Sequence, residues 1–464
     1  MHALPLIAHE RADAVIAWRE GRAITAAAFV ASARTLAAHL PSGTHALNLC
    51  ADRYHFALGV AAALLADRCS LLPPTHAPEV IRHLHALAPD MVCLTDGSAG
   101  NDILAQLRCP VLPVNVLAGA GASADPGPTG AQAWSVPQIP ADQLAALIFT
   151  SGSTGTPVPH AKRFGALVQS VQAEARRLGP LARGAIVGTV PPQHMYGFES
   201  SVLLPLHSGG ALCAERPFFP ADIGASLQRL PRPRVLCATP VHLRALIETG
   251  IALPPLDGVI CATAMLEPQL ARQIEDRYGA PLVEIYGSTE TGQIASRRTA
   301  GGQAWQLWPG VRLSFNGEAW WAQGAHVQQP TRLADVLEPL DEQHFLLHGR
   351  TADLVNIAGK RSSLAYLSHQ LNAIPGVRDG AFFIREDTPA SLAGVTRLAA
   401  FVVAPQLDAA HICAALRERI DPVFLPRPLL LVERLPRNDT GKLPQHTLHA
   451  LAAQLTAGAP GLFD

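Results

Sequence analysis

Between residues 233 and 293, short apolar runs alternate with stretches of helical pattern, and this alternation restricts the fold more than any other feature of the chain. Val235-Leu236-Cys237-Ala238, Gly258-Val259-Ile260-Cys261 and Leu282-Val283-Glu284-Ile285 read as strands, with Val241 to Thr249 and Pro268 to Tyr278 as the helices between them. Parallel strands need long crossover connections, and a helix is the usual one, so the segment implies a parallel sheet. Ligands of such sheets collect beyond the carboxyl ends of the strands. A looser version of the rhythm runs through residues 1–115, as at Ala46-Leu47-Asn48-Leu49 and Met91-Val92-Cys93-Leu94. Residues 117–140 are rich in Ala, Gly, Pro and Ser, lack periodicity and read as a surface loop. The tryptophan-rich stretch 301–348 reads as antiparallel strands. After Gly349-Arg350 a small α+β unit begins, with a strand at Leu354–Ile357, a helix over 363–372, strands near 380–385 and 397–403, and a helix near 408–419.

The expected fold class is therefore α/β. A large N-terminal domain, residues 1–350, holds α/β sheets with a small antiparallel part, and residues 351–464 form the small α+β domain. A chain of 464 residues is too long for one core. With 48% hydrophobic residues and a net charge of −1, it carries no electrostatic bias toward nucleic acid. Its longest apolar run, Phe56 to Ala66, is about half of what a membrane span needs. The first residues reach Glu10 without a basic leader or a long apolar stretch, which points to the cytoplasm. Eight cysteines are scattered with no C-x-x-C pair, as expected of buried thiols in a reducing compartment rather than zinc ligands or disulfides.

Four polar segments stand out. Thr150-Ser151-Gly152-Ser153-Thr154-Gly155-Thr156-Pro157 follows the apolar run Leu144–Phe149 and packs glycines and hydroxyls so that backbone N–H groups can wrap a polyphosphate. It lacks the Gly-Lys-Ser/Thr of a P-loop, and alone it could be a linker. Tyr286-Gly287-Ser288-Thr289-Glu290-Thr291-Gly292 begins where a core strand is expected to end, and its carboxylate beside hydroxyls suits Mg²⁺ on a phosphate, or else a plain turn. Gly349-Arg350-Thr351-Ala352-Asp353, with Asp335 upstream, offers a guanidinium and a carboxylate for ribose hydroxyls, or a surface ion pair. Pro436-Arg437-Asn438-Asp439-Thr440-Gly441-Lys442 presents one lysine near the C-terminus.

In this order and spacing the four segments resemble the AMP-forming superfamily of acyl- and aryl-CoA synthetases, adenylation domains and luciferases. The resemblance spans about residues 55–445 and includes Pro191-Pro192-Gln193-His194-Met195-Tyr196-Gly197, similar to the pocket-gating motif, and Cys261-Ala262-Thr263-Ala264-Met265-Leu266, similar to the adenine and acyl pocket segment. It implies phosphate binding by Ser151, Gly152, Ser153, Thr154 and Gly155, α-phosphate contact by Thr289, and Mg²⁺ on Glu290. Asp335 and Arg350 would hold ribose, with Tyr286, Gly287 and Ala264 at the adenine. His194, also a candidate catalytic residue beside Lys442, Glu290 and Thr289, would line the acid site with Phe198, Glu199, Thr263 and Gly287. Lys442 would reach the carboxylate and α-phosphate, the hinge would fall at Ala352–Asp353 in front of a mobile C-terminal domain, and Gly359 would border the thiol tunnel. The implied reaction joins a small carboxylic acid to ATP, giving acyl-adenylate and pyrophosphate, and then transfers the acyl group to a phosphopantetheine thiol of CoA or an acyl carrier protein.

Departures accompany the resemblance. Val158 stands where a lysine usually follows the loop proline, and the nearest lysine is Lys162. Leu333-Ala334 replace the usual Thr-Gly before Asp335, Ala352 the first acidic hinge residue, and Gln445 a common arginine. The variant loop Pro157–Lys162, the compact first domain and His194–Glu199 resemble stand-alone ligases of aryl-polyene and xanthomonadin-type pathways, which charge an aryl acid of the hydroxybenzoate type for a separate carrier protein. A medium-chain or β-hydroxy fatty acid is the alternative substrate, and a luciferase-like oxygenase or a nucleotide-binding regulator without turnover is the alternative of another class.

Overall fold

A computed structural model describes residues 2–75, 77–107, 109–116, 134–151, 157–350, 354–357, 360–384, 398–438 and 443–458. Two large sheets dominate. The first has six strands in the order Pro157–Arg163, Leu144–Ser151, Cys69–Leu72, His45–Asn48, Val92–Thr95 and Val111–Pro113. Its pairs are parallel except the outermost, where Pro157–Arg163 runs antiparallel to Leu144–Ser151. The second has eleven strands, and Leu282–Ser288, Gly258–Cys261, Arg234–Ala238 and Ala185–Gly188 form its parallel middle. From Leu282–Ser288 the sheet turns antiparallel through Gly292–Arg297, Trp305–Leu307, His344–Arg350 and Asp335–Pro339.

The helix Arg53–Leu65 lies between the two sheets, touching strands of both. Asp52 caps its start by accepting from the His55 backbone N–H at 3.0 Å, and twelve of its thirteen residues are buried. An all-round apolar helix is what a position between layers demands. Arg53 is its one buried charge. Nε donates to Ser201 Oγ at 2.9 Å, and the two terminal nitrogens donate to the carbonyls of Gly188, Val190, Cys213 and Glu215 at 2.7–3.3 Å. A guanidinium with its donors spent is tolerated in a core.

Beyond Arg350 the described residues form a hairpin, Leu354–Ile357 with Lys360–Ser363, and a three-stranded sheet of Asp379–Ile384, Leu398–Val403 and Leu429–Leu431. Helices Leu364–Asn372 and Ala409–Arg417 pack on this sheet around Leu367, Leu371, Ile412 and Leu416. The architecture is thus a large α/β N-terminal part followed by a smaller α+β part, as the alternation implied. A three-stranded antiparallel sheet, Arg312–Phe315, Trp320–Gly324 and Val327–Arg332, accounts for much of the tryptophan-rich stretch. All eight cysteines are free. No helix among the described residues is long and apolar enough to cross a membrane.

Three expectations need correcting. Pro157–Lys162, read as loop, is an edge strand, and the edge is where a sheet accepts proline, because the missing N–H faces no partner. Part of the expected loop 117–140 is a short strand, Gln138–Pro140, paired with Ala3–Pro5. The strand at Leu282 continues to Ser288, three residues beyond the apolar run, because Gly292–Arg297 returns beside it.

Candidate active site

Among the described residues, Thr150, Tyr286, Glu290 and Asp335 lie where the parallel strands of the larger sheet end. Strand Leu282–Ser288 and its antiparallel partner Gly292–Arg297 are joined by the turn that carries Thr289 and Glu290. A register shift at Tyr286/Gly287 brings the strands so close that a Cβ on Gly287 would sit 2.2 Å from the Gly292 carbonyl oxygen and 2.8 Å from Gln293 Cα. Only glycine fits there. Ser288 and Thr291 close the turn: the Ser288 N–H donates to Thr291 Oγ1, the Thr291 N–H donates to Ser288 Oγ, both at 3.2 Å, and Gly292 follows at φ +72°.

Glu290 stands exposed on this turn. Burial of its surroundings opposes ionisation, but hydrogen bonds from its own backbone and Ser288, with the charges of His160 and Lys162, hold its carboxyl below the usual value. His160 Nε2 lies 3.7 Å from Glu290 Oε1 and 2.9 Å from Thr150 Oγ1. The hairpin that flanks the Ser/Gly/Thr run therefore sits against the Glu290 turn, although some 130 residues separate them in sequence. Gly152, Ser153, Thr154 and Gly155 themselves lie outside the described residues, as do Ala352 and Asp353, where the hinge is expected, and Gly359 and Lys442.

On the other side of the strand end, Tyr286 Oη donates to Asp335 Oδ2 at 2.8 Å. The Tyr286 ring packs against Trp305 and Phe345 at centroid distances of 5.5 and 5.7 Å. Asp335 is the cross-strand partner of Arg350, so the two residues that the resemblance assigns to ribose are neighbours in register.

The segment Ala262–Leu266 leaves the strand Gly258–Cys261 beside these groups. Thr263 adopts φ +85°, a value that a β-branched residue reaches only under strain. The segment is pinned by Glu284, a buried carboxylate that sequence reading treated only as part of a strand. It accepts from the Leu266 backbone N–H at 3.1 Å and from Arg297 Nε at 2.7 Å, with Thr299 Oγ1 donating at 2.5 Å. Ala264 lies half-buried within the segment.

His194 caps the short helix Met195–Phe198 and is half-buried. Two other acid-site expectations are corrected. Phe198 is fully buried and meets Phe56 edge to face at 6.1 Å, so it belongs to the core and not to an open wall. Glu199 is 1% exposed and faces inward, accepting from Ser170 Oγ at 2.6 Å. Tyr196 is likewise spent, donating to the carbonyls of Ala238 and Ile260 at 3.1 and 3.0 Å.

Beneath the Glu290 turn lies a buried polar cluster that motif reading missed. Lys162 Nζ donates to the Glu290 carbonyl at 2.9 Å, and Gln293 Nε2 donates to Ser200 Oγ at 2.8 Å. Burial pushes the Glu199 carboxyl up to about 7 against the pull of Ser170 and Lys162, and pushes that of Glu174, fully enclosed, up to about 8. Burial also lowers the pKa of His326 to about 4. The signal for this cluster was the spacing of His160 and Lys162, two residues apart on one face of a strand.

Sequence comparison decides the family. A family model described as AMP-binding enzyme matches residues 7–323. The chain belongs to the AMP-binding enzyme family. It is 33% identical over 283 residues to a 4-coumarate–CoA ligase of Rhodobacter capsulatus, covering 60% of this chain and 67% of that one. A 4-coumarate–CoA ligase of Halorhodospira halophila is 32% identical over 309 residues, covering 63% and 73%. ATP-bound MatB from Rhodopseudomonas palustris shares the fold with a TM-score of 0.79 at 19% identity, over 96% of this chain and 97% of that one. Membership makes the chain an enzyme, an AMP-forming acid–thiol ligase that depends on ATP.

Proposed function

We propose that this enzyme adenylates a compact aryl acid of the hydroxybenzoate type and passes the acyl group to the phosphopantetheine thiol of an acyl carrier protein or CoA. The observation that carries the reading is the convergence of the hairpin strands Leu144–Ser151 and Pro157–Arg163, the Glu290 turn and the Tyr286–Asp335 pair where the parallel strands of the larger sheet end. The two 4-coumarate ligases support an aromatic acid. A strained, branched Thr263 on the pocket segment supports a short one.

In the first half-reaction a carboxylate oxygen attacks the α-phosphorus of ATP and the bond to pyrophosphate breaks. In the second, the thiol sulfur attacks the acyl carbon and AMP leaves. Both first partners are anions, so the chain's task is to position them and to offset their repulsion. Asp335, oriented by Tyr286, and Arg350 hold the ribose. The loop 151–155 binds the phosphates, Thr289 contacts the α-phosphate, and Lys442 bridges the carboxylate and the α-phosphate. Mg²⁺ bound with the nucleotide would add positive charge at the phosphates. Glu290 fits that ion, since Mg²⁺ is ordinarily held by one or two carboxylates together with substrate phosphates, and Glu290 offers a single ionised carboxylate on an open turn. Residues 351–464 form a lid that turns at Ala352–Asp353 between the half-reactions and brings Gly359 to the thiol. An enzyme consuming ATP and a pantetheine thiol works where both are made, in the cytoplasm.

The test is acid-dependent exchange of labelled pyrophosphate into ATP. Exchange driven by hydroxybenzoates, followed by thioester formation with a carrier protein or CoA, is the expected result. No exchange with any acid would leave a nucleotide-binding protein without turnover.

A further inference from the structure

The strand Pro157–Arg163 carries Val158, His160 and Lys162 at alternate positions, so their side chains share one face. Position 158, where the superfamily usually has its lysine, is an exposed valine. Lys162 lies four residues further along, about 13 Å at the usual strand rise, and is buried. A lysine there does not stand in for one at the mouth of the phosphate loop. Its ammonium is instead tied down, because Nζ donates to the backbone carbonyl of Glu290 at 2.9 Å.

That contact has a built foundation. Burial lowers the pKa of Lys162, and the carboxylates of Glu199 and Glu290 oppose that shift; Glu199 is itself held by Ser170 at 2.6 Å. Glu199 Oε1 also lies so close under Gly292 that a Cβ added there would be 3.1 Å from it. Gln293, the next residue, is anchored to Ser200 at 2.8 Å. The Glu290 turn thus rests on two supports, Lys162 beneath its middle and the 199–203 helical turn beneath its end. Glu199 to Leu203 form a π-helical turn, a form that recurs at functional sites. A bond to the carbonyl fixes where the Glu290 carboxylate stands without consuming the carboxylate itself. His160, on the same face, has Nε2 3.7 Å from that carboxylate, while burial lowers its pKa from the usual imidazole value.

We propose that Lys162 is a positioning residue that sets the Glu290 turn, and through it the Mg²⁺ on the nucleotide phosphates. The inference rests on the reading of Glu290 as the metal-side carboxylate. A charge-assisted hydrogen bond is worth about 1.5–3 kcal/mol, so Lys162→Met should raise the MgCl₂ needed for half-maximal pyrophosphate exchange by about tenfold or more. Thioester formation from a synthetic acyl-adenylate, which needs no phosphate clamp, should stay within about twofold. Calorimetric binding of a non-hydrolysable ATP analogue supplies a readout apart from turnover. The affinity measured in EDTA should be unchanged, while the gain on adding MgCl₂ should shrink by the same factor. Adding Val158→Lys to the Lys162→Met variant should restore nothing.

An unchanged MgCl₂ requirement, or rescue by Val158→Lys, would overturn the proposal. If Lys162→Met does not fold, Ser170→Ala loosens Glu199 instead. An increase of about threefold in the MgCl₂ requirement is then expected, and no increase counts against the proposal. Absence of exchange in the unmodified enzyme would defeat the adenylation reading, not this one, since the calorimetric arm still reports on Lys162.

Discussion

Arg437 holds Asp379 through two hydrogen bonds, Nε to Oδ2 at 2.8 Å and Nη2 to Oδ1 at 2.7 Å. Arg244, on the helix Pro240–Thr249 of the N-terminal part, approaches the same carboxylate at 3.5 Å and bonds Glu267 at 3.2 Å. A cavity of about 320 Å³ opens beside them, with Arg244, Glu267 and Asn372 in its wall. One carboxylate therefore joins the N-terminal part to the segment that runs on to Lys442.

Asp379→Ala leaves two half-buried guanidiniums without their shared acceptor and releases that segment. Adenylate formation should fall by about tenfold, while thioester formation from a supplied adenylate changes by less than about twofold. Arg244→Ala removes only the longer contact and should cost under about 1 kcal/mol. Rapid-quench measurement of each half-reaction checks this, and equal losses in both halves would contradict it.

Lys442→Ala should abolish adenylate formation and spare much of the second half-reaction, because its charge matters only while two anions approach each other. Gly359→Leu should do the reverse, leaving pyrophosphate release intact and blocking thioester formation. The same pair of assays separates the two variants.

Thr263→Gly tests the pocket wall. A non-glycine residue in the left-handed region stores about 1–2 kcal/mol, so the glycine variant should resist urea as well as or better than the parent. It should also raise kcat/KM for acids with a longer arm, such as 4-coumarate, relative to 4-hydroxybenzoate. A variant that loses stability and keeps the same acid preference would show that Thr263 neither strains the segment nor bounds the site.

Stability should carry the mark of Glu174. Its carboxyl, raised by burial to about 8, stays protonated in the folded chain where the unfolded chain, near 4.5, has lost its proton. The folded state thus binds more protons between those values, and stability falls as pH rises through that window. Glu174→Gln removes the slope. Relative to the parent, it should be more stable at pH 8.5 than at pH 5.5 by at least about 1 kcal/mol, read from urea midpoints. An equal difference at both pH values would argue against a protonated Glu174.

The sequence exposed the parts of this molecule that obey short-range rules. Gly258–Cys261 and Pro268–Tyr278 were bounded to the residue, because apolar runs and helix caps are local signals. The pairing of Asp335 with Arg350 was not readable, since register across a hairpin depends on both strands and a shift at Val336/Leu337. Phe198 and Glu199 looked like pocket residues because a motif gives their neighbours in sequence and not the direction of their side chains. Lys162, Glu174, Glu199 and Gln293 come from four separate elements, and no pattern within any one of them announces that they meet.

Activation of a compact aryl acid with ATP is the activity proposed for this chain. Pyrophosphate release, measured with 3- and 4-hydroxybenzoate, benzoate, 4-coumarate and decanoate and with CoA or a carrier protein as acceptor, tests it most directly. Acid-dependent release with the highest kcat/KM for a hydroxybenzoate is the expected result. Release driven best by decanoate, or by no acid at all, would contradict it.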